Sequence, residues 1–145
     1  IKHAVMMAEK KYKKEYDIIF DLDTTSPLRK VSDIKNALDL FIKDRASNLF
    51  SVCEARRNPY FNQVKKDKRG ISLVKKSNKK IIRRQDTPQV FDMNASIYIW
   101  KRDYLFKSKT IFGRNTSLYV MPLERSIDID NYSDFKIVNL LMSNK

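Results

Sequence analysis

The residues best suited to chemistry are two aspartates near the end of the chain, Asp128 and Asp130, which are separated by one apolar residue. In an extended backbone both carboxylates project to one face, while Ile127 and Ile129 point into the core. Mg²⁺ prefers oxygen ligands and is usually held by one or two carboxylates together with substrate phosphates. The pair is therefore a candidate magnesium site, although most D-x-D pairs are solvated strand ends or helix caps.

Length and composition limit the possible classes of protein. With 145 residues and 42% hydrophobic content, the chain is expected to form a single domain over residues 1–145. No apolar run approaches the roughly 18 residues of a membrane span and no signal peptide is visible, so we expect a cytoplasmic protein without a membrane partner. Cys53 has apolar neighbours, which predicts burial in a reducing compartment. One histidine and one cysteine argue against a Cys/His zinc cluster or a Ser-His-Asp site.

The charge balance suggests an anionic partner. Lysine and arginine total 30 against 17 aspartate and glutamate residues, a net charge of +13, and such an excess attracts polyanions. Much of it lies in the runs at residues 10–14, 65–69 and 75–80, which are typical of an exposed helix face and two surface turns. We interpret the excess as a lysine-rich surface. A nucleic-acid-binding module is the alternative, but no recognisable nucleic-acid motif is present.

The first half of the chain predicts the elements that would position a site. Helical spacing of apolar residues predicts an amphipathic helix over residues 2–14. Residues 16–22 predict a strand covered on both faces in a parallel sheet. A helix capped by Ser32 should follow and end near Lys43, and residues 48–53 predict a second buried strand. This order makes a βαβ unit, and such sheets bind ligands beyond the carboxyl ends of their strands.

The second half is predicted to be less regular. A glycine, Gly70, supplies the turn of a hairpin centred on residues 67–70. The predicted elements are hairpin strands at 60–64 and 70–75, a strand at 95–100, a short helix at 103–107, a strand at 117–121 and a terminal helix capped near Asp130 or Ser133. The last helix would begin directly after the two aspartates.

Five segments, taken in order, match the motifs of one family in residue type and relative spacing. They are Asp21-Leu22-Asp23-Thr24-Thr25-Ser26-Pro27-Leu28-Arg29, Ser51-Val52-Cys53-Glu54-Ala55-Arg56-Arg57-Asn58-Pro59-Tyr60-Phe61, Arg84-Gln85-Asp86-Thr87-Pro88-Gln89-Val90-Phe91, Asn94-Ala95-Ser96-Ile97-Tyr98 and Ser126-Ile127-Asp128-Ile129-Asp130. Together they resemble the acylneuraminate cytidylyltransferases, which activate nine-carbon keto-acid sugars such as sialic and legionaminic acid.

The resemblance implies a fold and a reaction. The fold is a Rossmann-like α/β sheet of the nucleotide-diphospho-sugar transferase type, with flanking helices. In the reaction, the anomeric hydroxyl of the sugar attacks the α-phosphorus of CTP, giving the CMP-sugar and pyrophosphate, with Mg²⁺ required. Charge accumulates on phosphate oxygens in such a transfer, so catalysis rests on positioning and a metal clamp. Asp128 and Asp130 match the catalytic, metal-binding carboxylates of the family.

The resemblance also implies polar contacts with the substrates. Arg84 matches an arginine that meets the acidic sugar, in keeping with the ability of guanidinium to fork onto a carboxylate; the alternative is a surface ion pair. Asp23, Thr25, Ser26 and Asn94 match polar positions on the substrate side. For the hydroxyls and the amide, the competing interpretation is loop capping and turn hydrogen bonds.

Two aromatic residues and an assembly are implied in the same way. Tyr98 and Phe112 match positions lining the acyl group of the sugar; as strand and loop aromatics they could equally be core residues. The family also forms dimer contacts near residues 84–91. We therefore expect a homodimer with a small dimerisation subregion around residues 58–92.

The chain departs from the family in three ways. Many sialic-acid members carry glutamine at the position of Asp23 and glycine at that of Ala95. The aspartate favours the legionaminic branch. The third departure is that the initial strand and the phosphate loop holding the CTP triphosphate have no counterpart. We therefore expect the later portion of a longer enzyme, with little turnover by this chain alone. A non-catalytic remnant that keeps sugar or dimer contacts is the alternative.

Overall fold

A computed structural model of the chain describes residues 1–78 and 80–143, which form an α/β protein with a mixed sheet. The elements in order are α1 (Lys2–Tyr12), β1 (Ile18–Leu22), α2 (Val31–Lys43), β2 (Asn48–Glu54), β3 (Val64–Asp67), β4 (Gly70–Leu73), β5 (Phe91–Lys101), α3 (Arg102–Lys107), β6 (Thr116–Val120) and α4 (Tyr132–Ser143). Among the described residues, no helix has both the length and the apolar composition needed to cross a membrane.

The chain divides into two compact units. The first comprises Ile1–Cys53 and the chain from Met93 onward, and the second is Glu54–Asp92. The first unit contains a four-stranded sheet in the order β1-β5-β2-β6, with β1 antiparallel to β5 and β2 parallel to β6. The second contains the β3–β4 hairpin and a 3-10 turn at Arg84–Asp86. It overlaps the predicted subregion 58–92, for which dimerisation stays a prediction.

The core of the first unit lies on both faces of its sheet, because successive strand residues point to opposite sides. On one face, α2 packs Ala37 and Phe41 against Leu49, Ile97 and Ile99, all buried. The other face is covered by α1 and α3 through a second buried cluster, formed by Val5, Ile19, Trp100 and Leu105. The strand β2 is therefore buried along six of its seven residues, as its continuous apolar run predicts.

The first strand differs from its prediction. β1 is an edge strand of the described sheet and is antiparallel to its neighbour. Its residues Ile18, Phe20 and Leu22 are each more than a third exposed, so the expectation of cover on both faces in a parallel sheet was wrong. β5 lies between β1 and β2 in the sheet, so the two strands of the predicted βαβ unit are not neighbours.

One predicted helix cap was wrong and a second is confirmed to within one residue. α2 begins at Val31, and the carboxylate of Asp33 accepts the backbone N–H of the cap residue Lys30 at 2.9 Å. Ser32 lies inside the first turn, where its hydroxyl is not the cap. Before α4, the side chain of Asn131 accepts the backbone N–H groups of the second and third helical residues at 2.8 and 3.2 Å. The cap is thus Asn131, directly after Asp130, so the predicted position of this cap is confirmed to within one residue.

The other boundaries differ by smaller amounts. The turn at residues 67–70 is confirmed, but the hairpin strand before it begins at Val64 and not at residue 60. β5 is longer than predicted, beginning at Phe91. The first helix, the short helix α3 and the burial of Cys53 are confirmed.

Candidate active site

The segment 125–130 begins at the last residue of a 3-10 turn and has no regular structure after it, so its position depends on side-chain and loop contacts. Its first contact is ionic. The guanidinium of Arg125 donates from Nε to Asp33 Oδ2 at 2.9 Å and from Nη2 to Asp33 Oδ1 at 2.7 Å. The hydroxyl of Tyr119 donates to the same Oδ1 at 3.3 Å. The first turn of α2 therefore holds the start of the segment.

The carboxylate of Asp33 is fully buried, yet it carries its charge. Burial alone would raise its pKa. The hydrogen bonds from Arg125 and from the backbone of Lys30, the positive charge of Arg125 and the bond from Tyr119 together outweigh burial and lower the pKa below its usual range. The buried group is thus an ionised partner in a bidentate pair.

The second contact is a chain of hydrogen bonds through the buried side chains of Asn94 and Ser51 and the partly buried side chain of Ser126. Asn94 Nδ2 donates to Ser126 Oγ at 2.9 Å, and Ser126 Oγ donates to the carbonyl oxygen of Pro122 at 2.8 Å. Asn94 Oδ1 accepts the hydroxyl of Ser51 at 2.6 Å, and that hydroxyl oxygen accepts the backbone N–H of Ile97 at 2.8 Å. This network ties the segment to β5 and β2.

The third contact joins the segment to the loop after β1. The backbone N–H of Ile129 donates to the carbonyl oxygen of Thr25 at 3.0 Å. Within that loop, Asp23 Oδ1 accepts the backbone N–H and the hydroxyl of Thr25 at 3.0 and 2.8 Å. These two bonds are the main reason that the pKa of Asp23 is lowered. Arg29 fixes the loop from the other side by donating to the carbonyl oxygens of Asp23 and Ser96.

Two oxygen atoms, one in the segment 125–130 and one in the loop after β1, differ from the atoms described so far. Asp128 Oδ1 and Ser26 Oγ are buried and have no hydrogen-bond partner. Ser26 directly precedes Pro27. Asp128 lies in the sequence between Ser126 and Ile129, which are both held by hydrogen bonds. A buried carboxylate oxygen without a donor is the kind of atom that a hard cation takes as a ligand, so this one oxygen is chemically suited to Mg²⁺.

The second aspartate is placed differently. Asp130 is exposed, and its backbone N–H donates to Asp134 Oδ2 at 3.1 Å. Ile127 and Ile129 are only partly buried, so the expectation that both lie in the core was wrong; the segment is held by polar contacts instead. Within residues 1–78 and 80–143, no three His, Cys, Asp or Glu side chains group closely enough to hold a metal ion.

Aromatic rings form a cluster on the face of the sheet away from α2. Tyr98 lies 6.3 Å from Phe50 and 6.4 Å from Trp100, measured between ring centroids. Phe112, 63% exposed, meets Phe50 edge-on at 5.9 Å. Burial, followed by the negative charges of nearby Asp21 and Asp23, raises the pKa of Tyr98. The two predicted aromatics are therefore joined through Phe50, which sequence reasoning did not select.

Arg84 lies in the second unit. It is exposed, and its Nη2 donates to the carbonyl oxygens of Ala55 and Arg56 at 3.2 and 3.1 Å. It lines an open cavity of about 440 Å³ together with Asn58 and Thr87. Asn58 shapes this cavity, because its Nδ2 donates to Thr87 Oγ1 at 2.9 Å. The predicted arginine thus borders a concave surface within its own unit.

The sequence of the chain is similar to those of several known proteins. The chain is 43% identical to the CMP-N,N'-diacetyllegionaminic acid synthase of Campylobacter jejuni and 39% identical to the post-translational flagellin modification protein B of Campylobacter coli. Both matches cover all 145 residues of this chain and 61% of the relative. An N-acylneuraminate cytidylyltransferase of Streptococcus agalactiae is 32% identical over 114 residues, 79% of this chain and 27% of the relative. The chain is a homologue of the acylneuraminate cytidylyltransferases.

No family model matches the chain, so the relationship rests on these relatives. The chain spans about three fifths of the length of the first two, at 61%. These relatives match the suspected family, and the first two alignments span every segment from which it was inferred.

The structure gathers most of the residues that the cytidylyltransferase motifs predict. Thr25, Asp23 and Asn94 all contact the segment 125–130 or the loop bonded to it. Sequence reasoning assigned no site role to the side chains that hold this arrangement together, which are those of Asp33, Ser51, Arg125 and Ser126. One signal was available: Arg125 and Ser126 directly precede the Ile-Asp-Ile-Asp pattern, where a polar pair must either face solvent or find partners.

Proposed function

We propose that the protein containing this chain is a CMP-nonulosonate synthetase. It transfers CMP from CTP to the anomeric hydroxyl of a nine-carbon keto-acid sugar and releases pyrophosphate. The observation that carries the proposal is the buried, unpartnered Oδ1 of Asp128 beside the loop that contains Thr25. Similarity to a CMP-N,N'-diacetyllegionaminic acid synthase over the whole chain gives independent support.

The reaction explains why these residue types are needed. The sugar hydroxyl forms a bond to the α-phosphorus, the bond from that phosphorus to pyrophosphate breaks, and the hydroxyl proton passes to solvent or a base. Negative charge builds on the phosphate oxygens, so fixed cations and donors lower the barrier. Mg²⁺ held by Asp128 and Asp130 would neutralise that charge. The hydroxyls of Thr25 and Ser26 would donate to the substrates.

The sugar side is assigned to the remaining predicted residues. A guanidinium forks onto a carboxylate with two parallel bonds, and Arg84 would bind the acid group of the sugar in this way. Tyr98 and Phe112 would contact the acyl group through their rings, with Phe50 supporting both. Asp23 and Asn94 would face the sugar hydroxyls. The acid at Asp23, with the relatives of the chain, favours a legionaminic-type sugar.

The central experiment measures pyrophosphate released from CTP with Mg²⁺ and a panel of sialic- and legionaminic-type acids, using the longest natural form of the protein. Asp128→Asn should reduce the rate by at least about 100-fold, the scale of losing one major charge-stabilising group. It should fold normally, since Asp128 Oδ1 has no bond to lose. Asp103→Asn, at a side chain 76% exposed on α3, is the matched control and should keep full activity. Absence of pyrophosphate release with every sugar would refute the proposal.

We also propose that the protein is a homodimer assembled through the second unit. Cross-strand partners lie on one face of a hairpin, and one face of β3–β4 carries Val64 and Ile71, exposed by 66% and 73%. A two-stranded hairpin is marginally stable alone, so a second copy packed on this face would stabilise it. Light scattering should give twice the chain mass. Ile71→Asp should yield monomers while Val31→Asp, at a similarly exposed position on α2, should not; a monomeric unsubstituted protein would disprove the assembly.

A further inference from the structure

We propose that Asp33 is a positioning residue for the Asp128 carboxylate, acting through Arg125. The inference rests on the proposed function for its enzymatic consequence, but its structural content can be tested separately. Asp33 precedes Arg125 by 92 residues in the sequence. None of the family motifs identified above includes it. Its hydrogen-bond partners are Lys30, Tyr119 and Arg125, and neither candidate metal-binding side chain is among them.

The first step of the argument concerns rigidity. Asp33 is 0% exposed, and its two carboxylate oxygens accept four hydrogen bonds: two from Arg125, one from the backbone of Lys30 and one from Tyr119. It belongs to the first turn of α2, a helix fixed in the core by Ala37 and Phe41. A catalytic loop held by such an element is positioned more accurately than one held by other loops.

The second step concerns the loop itself. Arg125 and Ser126 are held by side-chain partners and Ile129 is held through its backbone. Between them, Asp128 Oδ1 receives no bond. The position of that oxygen is therefore determined by the residues around it, and Arg125 provides the ionic contact among them.

The third step concerns charge. An arginine three residues before Asp128 is a natural competitor for its carboxylate, because a guanidinium pairs readily with any nearby acid. Asp33 takes two N–H groups of Arg125 in a bidentate pair. The pair thereby keeps the guanidinium occupied and leaves the Asp128 carboxylate available to a cation.

A second arginine pair in the same unit provides a matched control. Arg102 donates to Glu9 from Nε at 2.7 Å and from Nη2 at 3.0 Å, which reproduces the geometry of the Arg125–Asp33 pair. It joins α1 to α3 and includes no residue of the segment 125–130. Glu9→Gln therefore breaks the same type of bond without affecting the start of the segment.

The deciding measurement is hydrogen exchange at the backbone amide of Ile129, which donates to Thr25. Asp33→Asn should accelerate this exchange by at least tenfold relative to the amide of Val52 in the buried strand β2. Glu9→Gln should leave the ratio of the two rates unchanged. Arg125→Lys, which keeps the charge but loses the fork, should give an intermediate ratio, and it decides the question if Asp33→Asn does not fold.

The enzymatic measurement is the Mg²⁺ concentration that gives half of the maximal rate of pyrophosphate release. Asp33→Asn should raise it at least tenfold and leave the KM for the sugar within twofold, while Glu9→Gln should change neither. A folded Asp33→Asn variant with unaltered Ile129 exchange would overturn the inference. If the unsubstituted protein releases no pyrophosphate, the proposed function fails, and the exchange at Ile129 still decides whether Asp33 positions the segment.

Discussion

Two sets of buried polar atoms in and around the candidate site differ in their hydrogen bonding. In one set, Asp33, Ser51 and Asn94 have their side-chain polar atoms bonded to protein partners. In the other, Ser26 Oγ and Asp128 Oδ1 have none. A buried unpartnered polar atom costs about 1–3 kcal/mol, so the second set destabilises the protein. We infer that the first set supports the site and the second set is kept open for a ligand.

The largest effect on stability is expected at Asn94. Asn94→Ala removes the amide that joins Ser51 to Ser126 and leaves the buried hydroxyl of Ser51 and the partly buried hydroxyl of Ser126 with fewer partners. The loss should be about 3 kcal/mol, from broken hydrogen bonds and a small cavity. Urea denaturation measures it.

The same truncation at an exposed asparagine tests whether burial is the cause. Asn115 donates to the carbonyl oxygen of Arg45 at 2.9 Å from an exposed position. Asn115→Ala should cost less than about 1 kcal/mol, because water replaces the lost bond. Equal losses at the two sites would mean that the network around Asn94 adds nothing to stability.

A pair of serine substitutions separates the two sets directly. Ser26 and Ser51 are equally buried, at 1% exposed each, but only the hydroxyl of Ser51 is bonded. Ser51→Ala should destabilise by about 2 kcal/mol, since it leaves the backbone N–H of Ile97 without a partner and removes one bond to Asn94 Oδ1. Ser26→Ala should leave stability unchanged or raise it slightly.

The effects of these two serine substitutions on activity should be in the reverse order, with the larger loss for Ser26→Ala. Ser26→Ala should weaken substrate binding in the pyrophosphate assay although its thermal unfolding is normal. A loss of stability at Ser26 as large as that at Ser51 would show that its hydroxyl has a partner in solution, and would end the distinction between the two sets.

The pH dependence of stability distinguishes Asp33 from Asp23, whose pKa values are both lowered. Between the folded pKa and the ordinary value of about 3.9, the unfolded state binds more protons, so stability rises with pH. The contribution of Asp33 is complete above about pH 4 and is lost as the pH falls through its lower folded pKa. Asp33→Asn should remove up to about 1.4 kcal/mol per pH unit from this acid slope.

Asp23→Asn should flatten the slope less, because Asp23 is partly exposed and bonds mainly to one neighbour. Urea denaturation between pH 2.5 and 5 compares the variants, with these pH values chosen to be roughly a unit on either side of the ordinary value. An Asp33→Asn slope identical to that of the unsubstituted protein would show that the buried pair is not ionised.

The difference between the two sets also explains what the sequence could predict. The helix α2 and the strand β2 were predicted because their apolar residues repeat over a few positions. The edge position of β1 was not, because it depends on pairing with β5, whose partner residues are about 80 positions away, as in Ile18 with Lys101. Local patterns carry no information on such pairings.

The candidate site shows the same division. The aspartates were found because their spacing is a local motif. The Asp33–Arg125 pair joins residues 92 positions apart, and neither partner shows on its own what it contacts. Whether Asp128 Oδ1 or Ser26 Oγ has a partner depends on every element around it, which no single segment can reveal.

The last prediction concerns Ala95, where many sialic-acid members of the family that the chain resembles carry glycine. Ala95 adopts a left-handed backbone conformation with φ of 53° inside β5, beside Asn94 of the bonded network. A residue with a Cβ is strained there, whereas glycine is not. Ala95→Gly should therefore stabilise the protein by about 1 kcal/mol despite the greater flexibility of the unfolded chain. Ala4→Gly, in the exposed helical conformation of α1, should instead destabilise by about 1 kcal/mol. Denaturation curves measure the free energy of unfolding of both variants. A change in the same direction for both would show that the backbone at Ala95, beside Asn94, is not strained.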